Sequence, residues 1–427
     1  MGRTPTKITL RTYQVGFGDC FLLTFHYAQG DKHVLIDFGS TKLPAGAGTR
    51  MLDVANDIKA RVGDDLVAVV ATHRHKDHIS GFATSKGGKG PGDIIRQCKP
   101  RMVLLPWTEQ PNLPVDATAP TGMRSFARDL VNMHTVAEHA LEIVAKDGRH
   151  MAPTYAEEIE FIGDDNLANK SAIKNLVTMG QRKPLYLSYG KRPSALEKLL
   201  PGVKIDVLGP PTLEQTETIS TQASEDPDEF WQLQALATEL AAGSAKKLFP
   251  RYQTHTEIPP DARWFCDRID KLTTQQLLSI VRTLDRALNN TSLILLFRAR
   301  GKRLLFPGDA QIETWRYALR EARDSARNRR ELAATDLYKV GHHGSRNATP
   351  RSLWDQFDKR STKKTSGTRL KSVMSTLPGV HGHESRNTEV PRQSLADELE
   401  RKSELLRTDM FKGKGTEKWI RDVEIDF

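Results

Sequence analysis

The stretch DLVAVVATHRHKDH (65–78) constrains this chain more than any other feature. Its first six residues are a short apolar run that reads as a buried strand. The strand empties directly into His73, His75, Asp77 and His78, four metal-ligating side chains within six residues. Alternate residues of an extended turn point the same way, so His73 and His75 can share one cation. Asp77 and His78 turn past them toward a second. Neutral imidazole with carboxylate suits Zn²⁺, and also Mn²⁺ or Fe. Gly81 permits the close turn into the helix that follows.

Two further clusters have the same placement. Gly308-Asp309 ends the apolar run KRLLFPG, where a carboxylate can bridge two cations. His342-His343-Gly344-Ser345 follows DLYKV (336–340). Adjacent histidines point in different directions, so one can ligate a cation while the other faces a substrate. All three clusters lie just past the C-terminal end of an apolar strand, the edge at which sites gather in open α/β sheets.

The rest of the chain supplies the frame for those edges. Residues 7–15, 20–26 and 33–38 read as strands broken by Gly16, Gly18 and Gly30, residues 50–62 as a helix, and 101–106 as another strand. This alternation implies an α/β layered domain. Helical periodicity at 121–150 and 226–287 is read as two insertions, 111–180 and 212–288, within a single domain spanning 1–427. Strand-like segments resume around them at 184–189, 203–211, 292–299 and 302–308. The pair SLILLFRARGKRLLFPG reads as a hairpin turning near Arg300-Gly301. Residues 311–333 read as one basic helix, 359–371 as a mobile polar loop, and 372–377 and 419–427 as late strands. Trp231, Trp264 and Phe265 in the second insertion read as core, with base stacking as the alternative, and the insertion helices could equally build a homodimer or protein-partner interface.

Composition narrows the class. Hydrophobic residues make up 38% and charged residues 27% of 427, enough for a packed core and against wholesale disorder. No run of about 18 apolar residues reads as a membrane span. The opening MGRTPTKITLRTYQVG carries no apolar signal core, so the expectation is a cytoplasmic protein without a membrane partner. Cys20, Cys98 and Cys266 are far apart and lack CxxC spacing, which argues against a disulfide framework or a cysteine zinc site. The net charge of +10 is concentrated: Gly301 to Lys371 holds 17 Lys/Arg against 8 Asp/Glu. Such a field draws in polyanions.

The segments VGFGDCFLL (15–23), VLIDFGS (34–40), THRHKDHISG (72–81), NNTSLILLF (289–297), LLFPGDA (304–310) and DLYKVGHHGS (336–345) together resemble the metallo-β-lactamase superfamily. Within it, the chain looks most like the hydrolase domain of ComEC-type competence proteins and their soluble relatives. The resemblance covers 7–110, 184–211 and 289–390. It implies an αββα sandwich with helical insertions and a dinuclear metal centre on one edge. It implies His73 and His75 as ligands of the first metal, Asp77 and His78 as ligands of the second, and Asp309 as the bridging carboxylate. It makes His343 the favoured late ligand and His342 the substrate-facing group. Asp37 would orient ligands from outside the coordination sphere, and His383 would contact substrate or protonate the leaving group. Many relatives supply one more histidine to the first metal. Here the interval before Asp309 holds only His134, His139, His150 and His255, without a recognisable motif.

Two divalent metals that share a carboxylate also share a water and lower its pKa toward neutrality. The expected reaction is hydrolysis, with Asp77, His342 and His383 as catalytic residues. The basic segment and the resemblance point to a nuclease or phosphodiesterase acting on DNA or RNA, with Ser345, Arg346, Asn347 and Thr349 touching phosphate. The alternatives are a phosphodiesterase on a small molecule, such as a cyclic nucleotide or a phosphocholine-type ester, and a non-catalytic scaffold.

Overall fold

The computed structural model describes residues 4–110, 170–212, 214–216, 289–345, 349–364, 368–382 and 389–427. Packing divides the chain into two units, Met1–Leu113 with Ala168–Thr216 and Asn289–Phe427, and Pro114–Leu167 with Glu217–Leu288. All described residues belong to the first unit. The expected insertions fall outside the described residues except for 170–180, 212 and 214–216.

The first unit is an α/β structure built on two mixed sheets. The first sheet contains β1 (Lys7–Tyr13), β2 (Cys20–His26), β3 (Lys32–Phe38), β4 (Leu66–Val70), β5 (Met102–Pro106), β6 (Leu185–Leu187) and β13 (Ile420–Asp426). Its order is β13-β1-β2-β3-β4-β5-β6. The strands are antiparallel from β13 to β3 and parallel from β3 to β6. The second sheet contains β7 (Val203–Gly209), β8 (Ile294–Ala299), β9 (Lys302–Phe306), β10 (Leu337–Lys339), β11 (Lys371–Met374) and β12 (Glu404–Arg407), in the order β12-β11-β10-β9-β8-β7. Here β12 to β9 are parallel and β9 to β7 antiparallel.

Burial explains these assignments. Strands β4 and β5 are buried at every position, as central parallel strands covered on both faces must be. One apolar cluster joins the sheets, with Phe21, Leu23 and Val70 from the first packed with Leu295, Phe297 and Phe306 from the second. A second cluster packs Leu22, Leu35 and Val69 of the first sheet against the helices Arg50–Val62, Pro91–Gln97 and Lys170–Met179. A third packs Leu296, Leu305 and Tyr338 of the second sheet against Trp315, Leu319, Leu332 and Leu399. The helix Lys170–Met179 thus covers the first sheet, although its residues fall within an expected insertion. Among the described residues no helix is long and apolar enough to cross a membrane.

Two local expectations need correction. Residues 311–333 are not one helix. They form a helix at Ile312–Arg316, a π-helical turn at Tyr317–Glu321 and a second helix at Ser325–Ala333, separated by Ala322 in extended conformation. The break lets Trp315, Ala318 and Leu319 on one side and Leu332 on the other all reach the sheet. The basic loop 359–371, where described, is tied down. Arg369 is 7% exposed and donates to the carbonyls of Ser361, Glu400 and Arg401, and Lys359 Nζ donates to Asp336. Arg369 and Lys359 find fixed acceptors rather than solvent, whereas Lys363 and Lys364 are exposed. The β8–β9 hairpin turns through Arg300 (φ 46°) and Gly301 (φ 85°), the paired left-handed residues that match the twist of the flanking strands.

Candidate metal centre

Strand ends from both sheets deliver polar side chains to one place. From the first sheet, β3 carries Asp37 at its next-to-last position, and β4 leads through Thr72 to His73 and His75. The short helix Lys76–Ile79 then carries Asp77 and His78. From the second sheet, Asp309 follows β9, His342 and His343 follow β10, and Ser375 follows β11. His73, His75, Asp77, His78, Asp309 and His343 are all at most 2% exposed.

These side chains form two donor groups that share Asp77. In the first, ligand atoms of Asp77, His78, Asp309 and His343 lie within 4.8 Å of one another. In the second, those of His73, His75 and Asp77 do the same. His78 Nδ1 donates to Asp37 Oδ2 (2.9 Å), which turns Nε2 inward to 3.1 Å from Asp309 Oδ2. His343 Nδ1 donates to the carbonyl of Ser375 (3.0 Å), and its Nε2 lies 2.6 Å from Asp77 Oδ2. An outer hydrogen bond of this kind fixes the ring and tautomer of a metal-ligating histidine. Asp37 is itself held by the Thr72 amide (2.7 Å) and hydroxyl (2.8 Å). In the second group, His73 Nε2 and His75 Nδ1 converge to 3.0 Å.

The fit to cations rests on what is left unsatisfied. Among the described residues, Asp77 Oδ1 is buried without a hydrogen-bond partner, and His78 Nε2 and Asp309 Oδ2 lie 3.1 Å apart with no other hydrogen-bond partner. Buried polar atoms are rarely left so. A set of imidazole nitrogens and carboxylate oxygens suits a divalent cation.

Two charged residues that the sequence reading passed over belong to the same cluster. Lys339, 2% exposed, pairs with the fully buried Asp19 and lies 3.7 Å from Asp309 Oδ1. The signal was available, since a lysine in the buried strand LYK and an aspartate leading the buried strand β2 are charges where burial tolerates none unpaired. Burial works to lower the Lys339 pKa, but Asp19 and Asp309 more than offset it and keep the ammonium charged.

Electrostatics prepare the cluster for cation uptake. Burial lowers the His78 pKa, yet Asp309, Asp77 and Asp37 hold it well above its ordinary value. His343 is raised likewise, against burial, by its bond to Asp77 and by Asp19. Without metal both rings favour the imidazolium form, whose stabilisation is complete below the ordinary histidine value and is lost as pH rises through the raised one. A cation must displace those protons. Metal uptake near neutral pH is therefore expected to release protons and to weaken as pH falls. Calorimetry in buffers of different ionisation enthalpy reads this directly, and a buffer-independent heat would contradict it.

Tight backbone approaches set the geometry. A Cβ on Gly39 would stand 2.5 Å from the carbonyl carbons of Asp77 and His78 and from the His78 nitrogen. Gly39→Ala is expected to cost about 1–3 kcal/mol through overpacking and to weaken metal binding by displacing Asp77 and His78. Denaturant unfolding and metal titration of the variant check both effects. His342 (φ 44°) and His343 (φ 53°) are left-handed residues that cost about 1–3 kcal/mol each. The His342 amide donates to Asp309 Oδ1 (3.0 Å), so the strained turn is anchored on the cluster.

The remaining candidates are placed as follows. The His342 side chain is 21% exposed, with Nε2 3.9 Å from Asp309 Oδ2. Ser345 is 9% exposed, and its hydroxyl has no hydrogen-bond partner. Arg346, Asn347 and His383 lie outside the described residues, as do His134, His139, His150 and His255. Arg74, between the first two histidines, turns away into a bidentate pair with Glu109 (2.9 and 2.8 Å). Cys20 and Cys98 are buried free thiols. Compared with known proteins, the sequence matches no family model and no curated protein.

Proposed function

We propose that this chain is a metal-dependent hydrolase of the metallo-β-lactamase type that cleaves phosphodiester bonds in nucleic acid, using two divalent cations, zinc in the first instance and manganese or iron otherwise. The observation that carries this reading is the inward aim of His78 and His343. Asp37 and the Ser375 carbonyl hold their outer nitrogens, so both Nε2 atoms face Asp77 and Asp309. Two mixed sheets sharing one apolar core, each packed with helices in a further cluster, agree with the αββα sandwich expected from the motifs.

Bound in this cluster, divalent cations would make a water acidic enough to act as nucleophile near neutral pH and would neutralise charge gathering on the scissile group. The chain's own part is positional. Asp37 and Ser375 fix the histidine tautomers, Lys339 and the His342 amide engage Asp309 Oδ1, and Asp309 Oδ2 is left for a cation. The partly exposed His342 ring, with Nε2 3.9 Å from Asp309 Oδ2, would face the substrate, and burial lowers its pKa, which favours the neutral ring at physiological pH. Ser345 offers a free hydroxyl one residue beyond the turn. The 17 cations against 8 carboxylates between Gly301 and Lys371 surround these groups in sequence and favour a polyanionic substrate.

The test is a metal analysis followed by a screen of single- and double-stranded DNA, RNA, cyclic nucleotides and a phosphocholine ester. Cleavage of DNA or RNA is expected. If metal-loaded protein cleaves neither, the nuclease reading fails, and turnover of the small esters alone would move the assignment to them. Within the same assay, His343→Ala is expected to lose metal. His342→Ala should keep its metal and lose about 10²–10⁴-fold in kcat, the usual contribution of a positioned proton-transfer group.

A further inference from the structure

The segment directly after Asp309 carries six arginines and four carboxylates between Ile312 and Ala333, and the two sets are engaged differently. Glu313 accepts from the Asn290 amide (3.2 Å), Glu321 from the Thr216 hydroxyl (3.2 Å) and Asp324 from the Tyr189 hydroxyl. Glu331 binds Arg303 (2.8 Å) and approaches Arg298 (3.5 Å). Two of the arginines are likewise committed, Arg327 to Asp206 (2.9 Å) and Arg329 to the Leu319 carbonyl. The other four, Arg316, Arg320, Arg323 and Arg330, are exposed. Among the described residues, none of these four makes a side-chain hydrogen bond or ion pair.

The spacing of Arg316 and Arg320 follows from the fold, and Arg323 is exposed just past the extended break at Ala322. The helix Ile312–Arg316 runs without interruption into the π-helical turn Tyr317–Glu321. Thr314, Trp315, Tyr317, Ala318 and Leu319 are buried on one side, which leaves Ile312, Arg316 and Arg320 on the other. Residues four apart stand about 6 Å apart along a helix axis. Nucleic acid carries a phosphate every 3.4 Å or so per strand, so successive guanidinium groups meet successive or alternate phosphates. The row starts at Arg316, seven residues beyond Asp309.

We propose that Arg316, Arg320 and Arg323 form a track that holds the phosphate backbone of a nucleic-acid strand leading out of the metal centre. The inference rests on the proposed function for what happens at the centre, but binding along the track needs no metal. Guanidinium groups free of carboxylate partners bind phosphate without first breaking an ion pair, and they exchange counterions for phosphate in a salt-dependent way.

The experiment compares the unsubstituted protein with the triple variant Arg316→Gln/Arg320→Gln/Arg323→Gln and with the same three positions changed to lysine. Binding of a fluorescein-labelled single-stranded DNA is followed by anisotropy across a salt series in metal-free protein. Hydrolysis of bis(p-nitrophenyl) phosphate is followed in metal-loaded protein. The glutamine variant should bind DNA at least about 10-fold more weakly, with the slope of log K against log salt reduced by about 2, near 0.7 per lost phosphate contact. Its turnover of the small diester should be unchanged, and the lysine variant should keep most of the slope. An unchanged slope in the glutamine variant overturns the track, as does a glutamine variant that loses binding to vesicles of anionic lipid while its DNA binding is intact. Failure of the unsubstituted protein to hydrolyse any diester would instead strike at the proposed function and leave the binding result standing.

Discussion

Asp77→Ala is expected to lower hydrolysis by at least about 10²–10³-fold, the scale on which removing one preorganised charge partner at a reacting centre acts, while nucleic-acid affinity stays within a few-fold. Asp77 is the one side chain common to both donor groups. Its Oδ2 faces His343 Nε2 at 2.6 Å, and its Oδ1 is buried without a partner. Truncation therefore takes a ligand from each group at once. Nucleic-acid affinity comes mainly from phosphate contacts with basic side chains, which the substitution leaves alone. Rates at saturating metal, with anisotropy binding in parallel, separate the two effects. Cleavage above a tenth of the unsubstituted rate would mean that the nucleophile is generated elsewhere.

Lys339→Met is expected to destabilise the metal-free protein by about 3–5 kcal/mol, the cost of leaving one member of a buried ion pair uncompensated. Asp19 has no exposed surface, and it would lose its ammonium partner from the second sheet. The ammonium also stands 3.7 Å from Asp309 Oδ1, so the variant should bind metal less tightly as that carboxylate loses its hold. Pairing Lys339→Met with Asp19→Leu should recover much of the loss, because replacing both members removes the stranded charge. Urea unfolding of the single and double variants decides the matter. A single-variant change below about 1 kcal/mol, the scale of an exposed pair, would show that Asp19 is compensated by another route.

The frame of the first unit was legible from local patterning. The strands β1 to β5 and the helix Arg50–Val62 fall where alternation and helical periodicity place them. Those signals are local, because a side chain's face is set by its neighbours two or four residues away. Local patterning does not carry the structure where partners are remote. The basic stretch 311–333 has an unbroken helical composition, but its break at Ala322 is dictated by the sheet surface beneath it. The loop 359–371 looked mobile because the carbonyls that bind Arg369 come from Glu400 and Arg401, some thirty residues on.

By itself the sequence determined which residue types stand past which strand ends: imidazoles and a carboxylate after β4, a carboxylate after β9, and tandem imidazoles after β10. A chain emerging from a buried strand has a fixed starting point, so such clusters are meaningful before any fold is known. Only the tertiary structure decided that these ends meet, that Asp37 and the Ser375 carbonyl aim two of the rings, and that Lys339 and Asp19 join the group. The reason is that convergence depends on packing two sheets across a shared core, and no single segment carries the information for a contact whose other half lies hundreds of residues away.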